Sequence, residues 1–301
     1  MQEKVIEVQQ LTKKFGEFTA VDHISFDVFK GEIFGFLGAN GAGKTTTLRL
    51  ILGLLKKQDG EINIFNQPFE KNRIEILRKT GSLIESPSLY AHLSAKENLA
   101  ILQKVYQCKP SRIDEVLKIV GLENTGKKST GKFSLGMKQR LSIAIALMHE
   151  PELLILDEPT NGLDPNGIIE MRELLKQLNK DFGMTILVSS HLLAEIEKMV
   201  THVGIINKGK LIFQGTMGEL HEAQHQQSFI CFETGNIEKT RAVLNANGIQ
   251  FQQEGSQLHV PVLERELIAS INKQLVEQDI KVYQISLIKN DLESIFIDLV
   301  K

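Results

Sequence analysis

Short runs of apolar and β-branched residues recur along the first two thirds of the chain, each with the length of one β-strand. Several runs are apolar at nearly every position, which is typical of strands buried on both faces of a parallel sheet. Segments with helical spacing lie between them, and this alternation predicts an α/β core. The strands before Gly38 follow one another without helices, so we expect them to form an antiparallel side sheet. The predicted strands are residues 5–8, 24–28, 32–37, 61–65, 153–156, 185–188, 203–207 and 210–213.

Three helices have recognisable starting signals in the sequence. A Ser-x-x-Glu capping box predicts a helix over residues 94–106. Ser111 is predicted to cap a second helix that ends at Gly121. Asp164, followed by a proline, is predicted to be the N-cap of a third helix, because proline suits the first helical position.

The pattern changes after about residue 220. The polar segment 221–228 predicts a linker, and the residues after it predict the order βαββαβ followed by a last helix over 291–300. That order favours a small α+β domain of the ferredoxin-like type. We therefore expect a larger domain over residues 1–220 and an accessory domain over residues 221–301. The predicted elements are strand 229–232, helix 237–247, strands 249–252 and 257–261, helix 265–278 and strand 280–285.

Residues 36–48 read FLGANGAGKTTTL and lie between an apolar strand and a helical pattern. They fit the G-x-x-x-x-G-K-[ST] pattern, in which glycines let backbone N–H groups point at phosphate oxygens near a helix N-terminus. Lys44 is expected to neutralise the β- and γ-phosphates, and the Thr45 hydroxyl to bind Mg²⁺. This loop by itself leaves kinases, GTPases, helicases and transporters open. The loop residues expected to hold the nucleotide are Gly38, Asn40, Gly41, Ala42, Gly43, Lys44, Thr45 and Thr46.

Two acids follow the apolar strand in the sequence LLILDEPTNGLDP, residues 153–165. A buried strand that ends in Asp157 and Glu158 places both at the carboxyl edge of the sheet, where open α/β folds bind ligands. We expect Asp157 to hold Mg²⁺, mostly through water, and Glu158 to polarise the attacking water. His191 ends another apolar strand and is expected to contact the γ-phosphate or to hold that water. Isolated strand-end charges are usually only solvated, but the phosphate loop in the same chain favours the catalytic interpretation.

Composition limits the possible partners. The net charge of −2 over 301 residues provides no strong field for nucleic acid or anionic lipid. The two cysteines match no metal spacing and are typical of reduced thiols in a cytosolic protein. The N-terminus does not have a secretory pattern, and no run approaches the roughly 20 apolar residues that cross a bilayer. Any membrane role is therefore expected to act through a partner.

These motifs, in this order, resemble the ATP-binding subunit of ABC transporters. The phosphate loop, the acids 157–158, the sequence NGLD at 161–164 and His191 follow the family's order, and FSLGMKQRL at 133–141 takes the place of the family signature. The resemblance covers roughly residues 5–220. It implies a P-loop NTPase core with an antiparallel side sheet and a helical subdomain over about residues 86–150, with ATP and Mg²⁺ as cofactors.

The resemblance also implies that the site is shared between two subunits. In the family, a serine hydroxyl and a glycine amide at a helix N-terminus bind the γ-phosphate of ATP held by the other subunit; here these are Ser134 and Gly136, placed just before an apolar helix over residues 141–148. Asp164 belongs to the loop that crosses this interface. Because both sets of motifs are intact, a homodimer is favoured. The other implied partner is an integral membrane permease, which would hold the subunit in the cytoplasm, peripherally on the inner face of the cell membrane.

Within the signature, Leu135 replaces a glycine and Met137 a glutamine of the commonest family form. Two other positions also depart from the family pattern. Phe15 stands where most members stack a tyrosine on adenine, although it is equally typical of a core aromatic. Glu85 stands where the family has a glutamine that reaches toward Mg²⁺, so a carboxylate is expected there as a metal ligand or as a modifier of coupling. Together with SLGMKQR and the C-terminal extension, Glu85 resembles the bacitracin-resistance and lantibiotic-immunity branch, which implies an exporter.

Three alternatives carry different sequence signals. Soluble ABC ATPases that act in translation have two cassettes in one chain, whereas this chain has one phosphate loop. Those that act on DNA insert a long coiled coil between the phosphate loop and the acids, and no such insertion lies between Lys44 and Asp157. A small-molecule kinase has no reason to carry the signature or His191. An ABC ATPase that regulates a non-transport process stays open.

Overall fold

The computed structural model describes residues 2–85, 89–226 and 229–288. The chain divides between Met217 and Gly218 into two compact units, each of which is described by itself. The sequence predicts a boundary after residue 220. The predicted last helix, over residues 291–300, lies outside the described residues.

Besides two short 3₁₀ helices at Glu123–Thr125 and Thr130–Lys132, the described residues of the first unit form ten strands and seven α-helices. In chain order they are β1 (Lys4–Phe15), β2 (Phe18–Phe29), β3 (Ile33–Leu37), α1 (Lys44–Ile51), β4 (Asp59–Ile64), β5 (Gln67–Pro68), α2 (Phe69–Arg78), β6 (Thr80–Leu83), α3 (Ala95–Tyr106), α4 (Ser111–Ile119), α5 (Leu135–Leu147), β7 (Leu153–Leu156), α6 (Pro165–Phe182), β8 (Thr185–Ser190), α7 (Leu193–Ile196), β9 (His202–Asn207) and β10 (Lys210–Thr216).

The main sheet has six strands in the order β10-β9-β3-β8-β7-β6. All its neighbours are parallel except β10, which runs antiparallel to β9. Every residue of β3, β7 and β8 is buried, as expected for strands covered on both faces. The predicted α/β core is therefore confirmed. Because parallel strands end at the same edge, the carboxyl ends of β3, β6, β7 and β8 meet there.

The side sheet has four antiparallel strands in the order β2-β1-β4-β5. The prediction that the strands before Gly38 form this sheet is confirmed for β1 and β2 and wrong for β3. β3 joins the parallel sheet because all five of its residues are apolar or glycine and buried, so it suits a central position. Phe26 of β2 packs against Phe34 and Phe36 of β3, with ring centroids 5.8 Å and 5.3 Å apart, and joins the two sheets in one core.

The observed first residues of the helices can be compared with the predicted N-caps. Ser94 and Glu97 form the predicted capping box at α3, and the Asp164 side chain accepts a hydrogen bond from the Gly167 N–H at the start of α6. The prediction for Ser111 is wrong, because α4 already includes this residue and Pro110 takes the N-cap position. The predicted apolar helix over residues 141–148 begins earlier, at Leu135, so α5 includes part of the signature.

In the described residues, the second unit has a four-stranded antiparallel sheet and three helices, and its strand order is β12-β13-β11-β14. The element order βαββαβ agrees with the sequence pattern; its assignment to the ferredoxin-like type stays a prediction. The predicted linker at 221–228 is wrong as far as residue 226, because a helix continues through it, and residues 227–228 lie outside the described chain. The elements are α8 (Met217–Gln226), which begins at the division, then β11 (Phe229–Thr234), α9 (Ile237–Ala246), β12 (Gln252–Glu254), β13 (Gln257–Pro261), α10 (Arg265–Glu277) and β14 (Val282–Ile288).

Within residues 2–85, 89–226 and 229–288, no helix is both long enough and apolar enough to cross a membrane.

Candidate functional site

The phosphate loop connects the end of β3 to the start of α1. Gly43 takes the N-cap position of α1 with φ of 114°, a left-handed conformation that favours glycine. A Cβ at Gly43 would lie 2.5 Å from the carbonyl oxygen of Ala20, and one at Gly38 would lie 2.6 Å from that of Ile206. Close packing therefore requires glycine at both positions, and the left-handed turn requires it at Gly43 as well. Asn40, Gly41 and Ala42 complete the loop, and Thr46 follows in the first turn of α1.

Lys44 is the first residue of α1, and its side chain folds back over the loop. It is only 5% exposed. Its Nζ donates to the carbonyl oxygens of Gly38 at 2.6 Å and Ala39 at 3.2 Å, and it lies 3.1 Å from Oε1 of Glu158. This contact connects the phosphate loop to the acids that follow β7.

Asp157 is buried between two hydroxyl groups. Thr45 Oγ1 donates to its Oδ2 at 2.7 Å, and Ser189 Oγ donates to its Oδ1 at 2.6 Å. Ser189 Oγ also accepts a hydrogen bond from the Glu158 N–H at 2.9 Å. Ser189 is fully buried and fixes both acids, although the sequence reasoning missed it. The available signal was the pair of polar residues at the end of an otherwise apolar strand.

Glu158 and His191 are in direct contact. The Nδ1 of His191 lies 2.7 Å from Oε2 of Glu158, while the other carboxylate oxygen pairs with Lys44. The backbone of Glu158 has φ of 49°, which is uncommon for a residue with a side chain and is often associated with functional sites. The strand edge therefore brings Lys44, Glu158 and His191 into one chain of contacts.

The donor set fits Mg²⁺. In the part of the chain that the structure describes, no group of three or more His, Cys, Asp or Glu side chains could hold a metal ion. Mg²⁺, however, prefers oxygen ligands and is usually held by one or two protein groups together with water and phosphate oxygens. The Thr45 hydroxyl and the Asp157 carboxylate already lie within hydrogen-bonding distance of each other, so both oxygens are available to one small cation.

Glu85 follows the end of β6 and lines an open cleft of 650 Å³ together with Asp157 and Glu158. Its carboxylate is ion-paired with Arg49 of α1. The structure thus brings Glu85 to the cleft, where its carboxylate is already engaged by a cation. Its role as a metal ligand stays a prediction.

Phe15 is the last residue of β1, and it is 48% exposed. This exposure contradicts the interpretation of Phe15 as a core aromatic. The Nζ of Lys13 lies 5.1 Å from the centroid of its ring, in a cation–π contact. Stacking of this ring on adenine stays a prediction.

The signature segment lies at the N-terminus of α5. Ser134 is the N-cap, and its hydroxyl accepts a hydrogen bond from the Met137 N–H at 3.3 Å. Gly136 lies within the first turn of the helix instead of before it, and a Cβ there would be in ordinary contact with Leu163 at 3.8 Å. Leu135 between them is 45% exposed. These residues therefore present a helix N-terminus that contacts its own first turn and the segment before α6.

The residues gathered at the strand edge suit one kind of chemistry. They are Lys44, Thr45, Asp157, Glu158 and His191. A buried lysine and a helix N-terminus favour phosphate, and two oxygen donors favour a divalent cation. Glu158 is placed to accept a proton and is held by a histidine. This set of groups suits the hydrolysis of a nucleoside triphosphate.

Comparison with known proteins supports the same interpretation. The family profile described as ABC transporter matches residues 21–161. The bacitracin transport ATP-binding protein BcrA of Bacillus licheniformis is 46% identical over 301 residues, which cover 98% of this chain and 97% of that protein. The lantibiotic transport ATP-binding protein SrtF of Streptococcus pyogenes is 42% identical over 210 residues, which cover 70% of this chain and 90% of that protein.

A solved structure extends the likeness to three dimensions. A dimeric ATP-binding cassette in a post-hydrolysis state, bound to ADP and phosphate, is 27% identical with a TM-score of 0.63 and covers 70% of this chain and 98% of its own. Sequence and fold therefore agree on one assignment. This chain belongs to the ATP-binding subunits of the ABC transporter family, which bind and hydrolyse ATP.

Proposed function

We propose that this chain hydrolyses Mg²⁺-bound ATP to drive a separate membrane permease that exports an antimicrobial peptide or a related drug. The names of its relatives, which refer to bacitracin and lantibiotic transport, support the cargo class. The chain would act in the cytoplasm, on the inner face of the membrane, through the permease. The alternative is an ABC ATPase that regulates a process other than transport.

The contacts of Asp157 support the metal assignment. Thr45 and Asp157 would hold Mg²⁺, and Ser189 would keep the Asp157 carboxylate oriented toward it. When bound, the metal neutralises the negative charge of the β- and γ-phosphates. Thr45 follows Lys44 directly in α1, so the cation and the lysine would approach the same phosphates from adjacent positions.

The contacts of Glu158 support its role as the base. A phosphate bound in the loop would draw Lys44 away from Glu158, because both are ligands for the same ammonium group. Glu158 would then accept the proton of the water that attacks the γ-phosphate. His191 would hold the carboxylate through Nδ1 and face the transferred phosphoryl group with the rest of its ring. The chain of contacts from Lys44 through Glu158 to His191 is the observation that carries this proposal.

A second copy of the chain would complete the site. Ser134 and Gly136 of one copy would bind the γ-phosphate held by the loop of the other, with Asp164 in the segment that crosses the interface. The dimeric state of the related cassette supports this arrangement.

Purification from membranes tests the proposal. A tagged chain, expressed in its own host, is expected to co-purify with a multi-span protein, and the reconstituted complex is expected to raise its ATPase rate when bacitracin or a lantibiotic is added. The Glu158→Gln complex is the matched control, because it should assemble without hydrolysing ATP. Co-purification with a soluble complex, with ATPase activity that no membrane protein changes, would favour the regulatory alternative.

A further inference from the structure

Glu85 reaches the cleft beside Asp157 and Glu158 because of the sheet order. It follows β6, which is the parallel neighbour of β7, and the Asp157 N–H donates to the Leu83 carbonyl at 2.8 Å. The ends of these two strands therefore lie side by side. Glu85 has φ of 65°, a left-handed conformation that is strained for a residue with a side chain. The backbone turn thus fixes the place of a third carboxylate beside Asp157 and Glu158.

Arg49 is the partner of this carboxylate. It lies four residues after Thr45 in α1, so both side chains are on one face of the helix. Its Nη2 donates to Oε1 of Glu85. The two side chains are 34% and 64% exposed, which leaves the pair at the mouth of the cleft and not in its interior.

The other two acids already have partners in the network around the phosphate loop. Asp157 accepts from two hydroxyl groups, and Glu158 is paired with Lys44. Glu85 differs from both, because its partner is a cation that lies outside this network. Without Arg49, its carboxylate would be free to turn into a cleft that must receive a polyanion and a divalent cation.

We infer that Arg49 is a positioning residue that holds Glu85 at the mouth of the cleft, away from the metal ligands and the γ-phosphate. This inference rests on the proposed function, because it assumes that the cleft receives Mg²⁺ and ATP. The pair keeps a third carboxylate from repelling the nucleotide and from binding the cation directly.

A binding experiment separates this role from a structural one. Binding of a fluorescent non-hydrolysable ATP analogue is measured in EDTA and across a Mg²⁺ titration for the wild type, Arg49→Ala and Arg49→Lys, each with Glu85 or with Glu85→Gln. In Arg49→Ala, we expect affinity in EDTA to fall on the order of fivefold, because a free carboxylate repels phosphate. The Mg²⁺ concentration at half-saturation is expected to fall, because the same carboxylate attracts the cation. Arg49→Lys is expected to stay near the wild type.

The Glu85→Gln background decides the outcome. Both effects of Arg49→Ala should disappear there, because no charge remains to be held. Equal losses in both backgrounds, or a parallel weakening of analogue and Mg²⁺ binding, would show that Arg49 acts on the helix or on phosphate itself and would overturn the inference. Unchanged binding in Arg49→Ala would overturn it as well. Failure of the proposed function looks different: the analogue binds, but the membrane complex does not hydrolyse ATP.

Discussion

The phosphate loop and the signature segment each present a helix N-terminus, but they differ in what surrounds it. At the start of α1, Lys44 is buried and contacts two carbonyl groups and an acid from another strand. At the start of α5, the hydroxyl of Ser134 bonds to an N–H of its own first turn, and the neighbouring Leu135 is 45% exposed. The first terminus is part of a network from three strands, and the second is not.

This difference indicates how the work is divided. Under the proposed function, the groups that would hold the metal and accept the proton need fixed geometry, and the contacts between α1, β7 and β8 would provide it. The signature needs only a serine hydroxyl and helix amides that can meet a phosphate from outside. We therefore expect changes in the network to impair chemistry, and changes in the signature to impair assembly of the complete site.

The largest expected effect is on chemistry in the network. Glu158→Gln removes the proton acceptor while keeping the size of the side chain, so the hydrolysis rate should fall by about 10² to 10⁴. The variant should still bind ATP and should accumulate as an ATP-bound dimer in light scattering. Glu264→Gln, at an exposed acid in the second unit, is the matched control and should hydrolyse ATP at the wild-type rate. Turnover at normal speed in Glu158→Gln would show that another group is the base.

The next effect concerns assembly. Ser134→Arg places a long cation where a second subunit would bring its γ-phosphate, so dimer closure and hydrolysis should be lost while the phosphate loop still binds ATP. Ser111→Arg is the control, because Ser111 also lies at the start of a helix but caps nothing. Nucleotide binding by fluorescence and dimerisation by light scattering distinguish the two steps. Full hydrolysis in Ser134→Arg would contradict a shared site.

The sequence predicts those features of the fold and the site that depend on the local pattern of residues. The parallel core, the capping box at Ser94 and the N-cap at Asp164 follow from residue order and are confirmed. Contacts between distant segments are not visible in a pattern. Ser189 lies more than 30 residues after Asp157, and Arg49 lies 36 residues before Glu85, so only the tertiary fold brings these pairs together.

The elements that the sequence missed have the same explanation. β6 reads TGSL and lacks an apolar run, but it pairs with β7 because a place beside that strand is available in the sheet. The sequence pattern places β3 in the side sheet because no helix precedes it. Its complete burial instead suits a central place in the parallel sheet. Tertiary packing, which a single sequence does not display, selects between such options.

A substitution at Ser189 tests how far the contacts between α1, β7 and β8 depend on a residue that is not itself expected to bind a ligand. Ser189→Ala removes the hydrogen bonds that orient Asp157 and the Glu158 backbone, so Mg²⁺ affinity should fall by about tenfold, at the lower end for residues behind a metal ligand. Ser190→Ala is the control, because this equally buried hydroxyl bonds only to Leu192. Mg²⁺ titration of nucleotide binding measures both. Equal effects in the two variants would mean that Ser189 only fills space.

The smallest expected effect concerns how the signature helix is attached to the sheet. His149 follows α5 and packs against Tyr106 of α3, with ring centroids 4.8 Å apart and ring planes tilted by 31°. It contacts the Thr80 carbonyl of β6 through Nε2 at 3.1 Å. Burial lowers the pKa of His149 below its usual 6.5, although the contact with the Thr80 carbonyl opposes this shift. The unfolded chain therefore binds this proton more readily than the folded one.

The sign of the pH effect follows directly. The stabilisation by neutral His149 is fully present above pH 6.5 and is lost as the pH falls below that value toward the lowered pKa of the folded state. His149→Gln keeps a donor for the Thr80 carbonyl but does not titrate, so its free energy of unfolding should decline less than that of the wild type between pH 7.5 and 5.5. Urea unfolding at both pH values measures this decline for each protein. The contributions of the other titratable groups cancel when the two declines are subtracted, because both proteins contain them. If the free energy of unfolding declines equally in both proteins, protonation of His149 does not weaken the attachment of the signature helix. The contrast between the phosphate-loop network and the signature would then rest on the contacts of Ser134 alone.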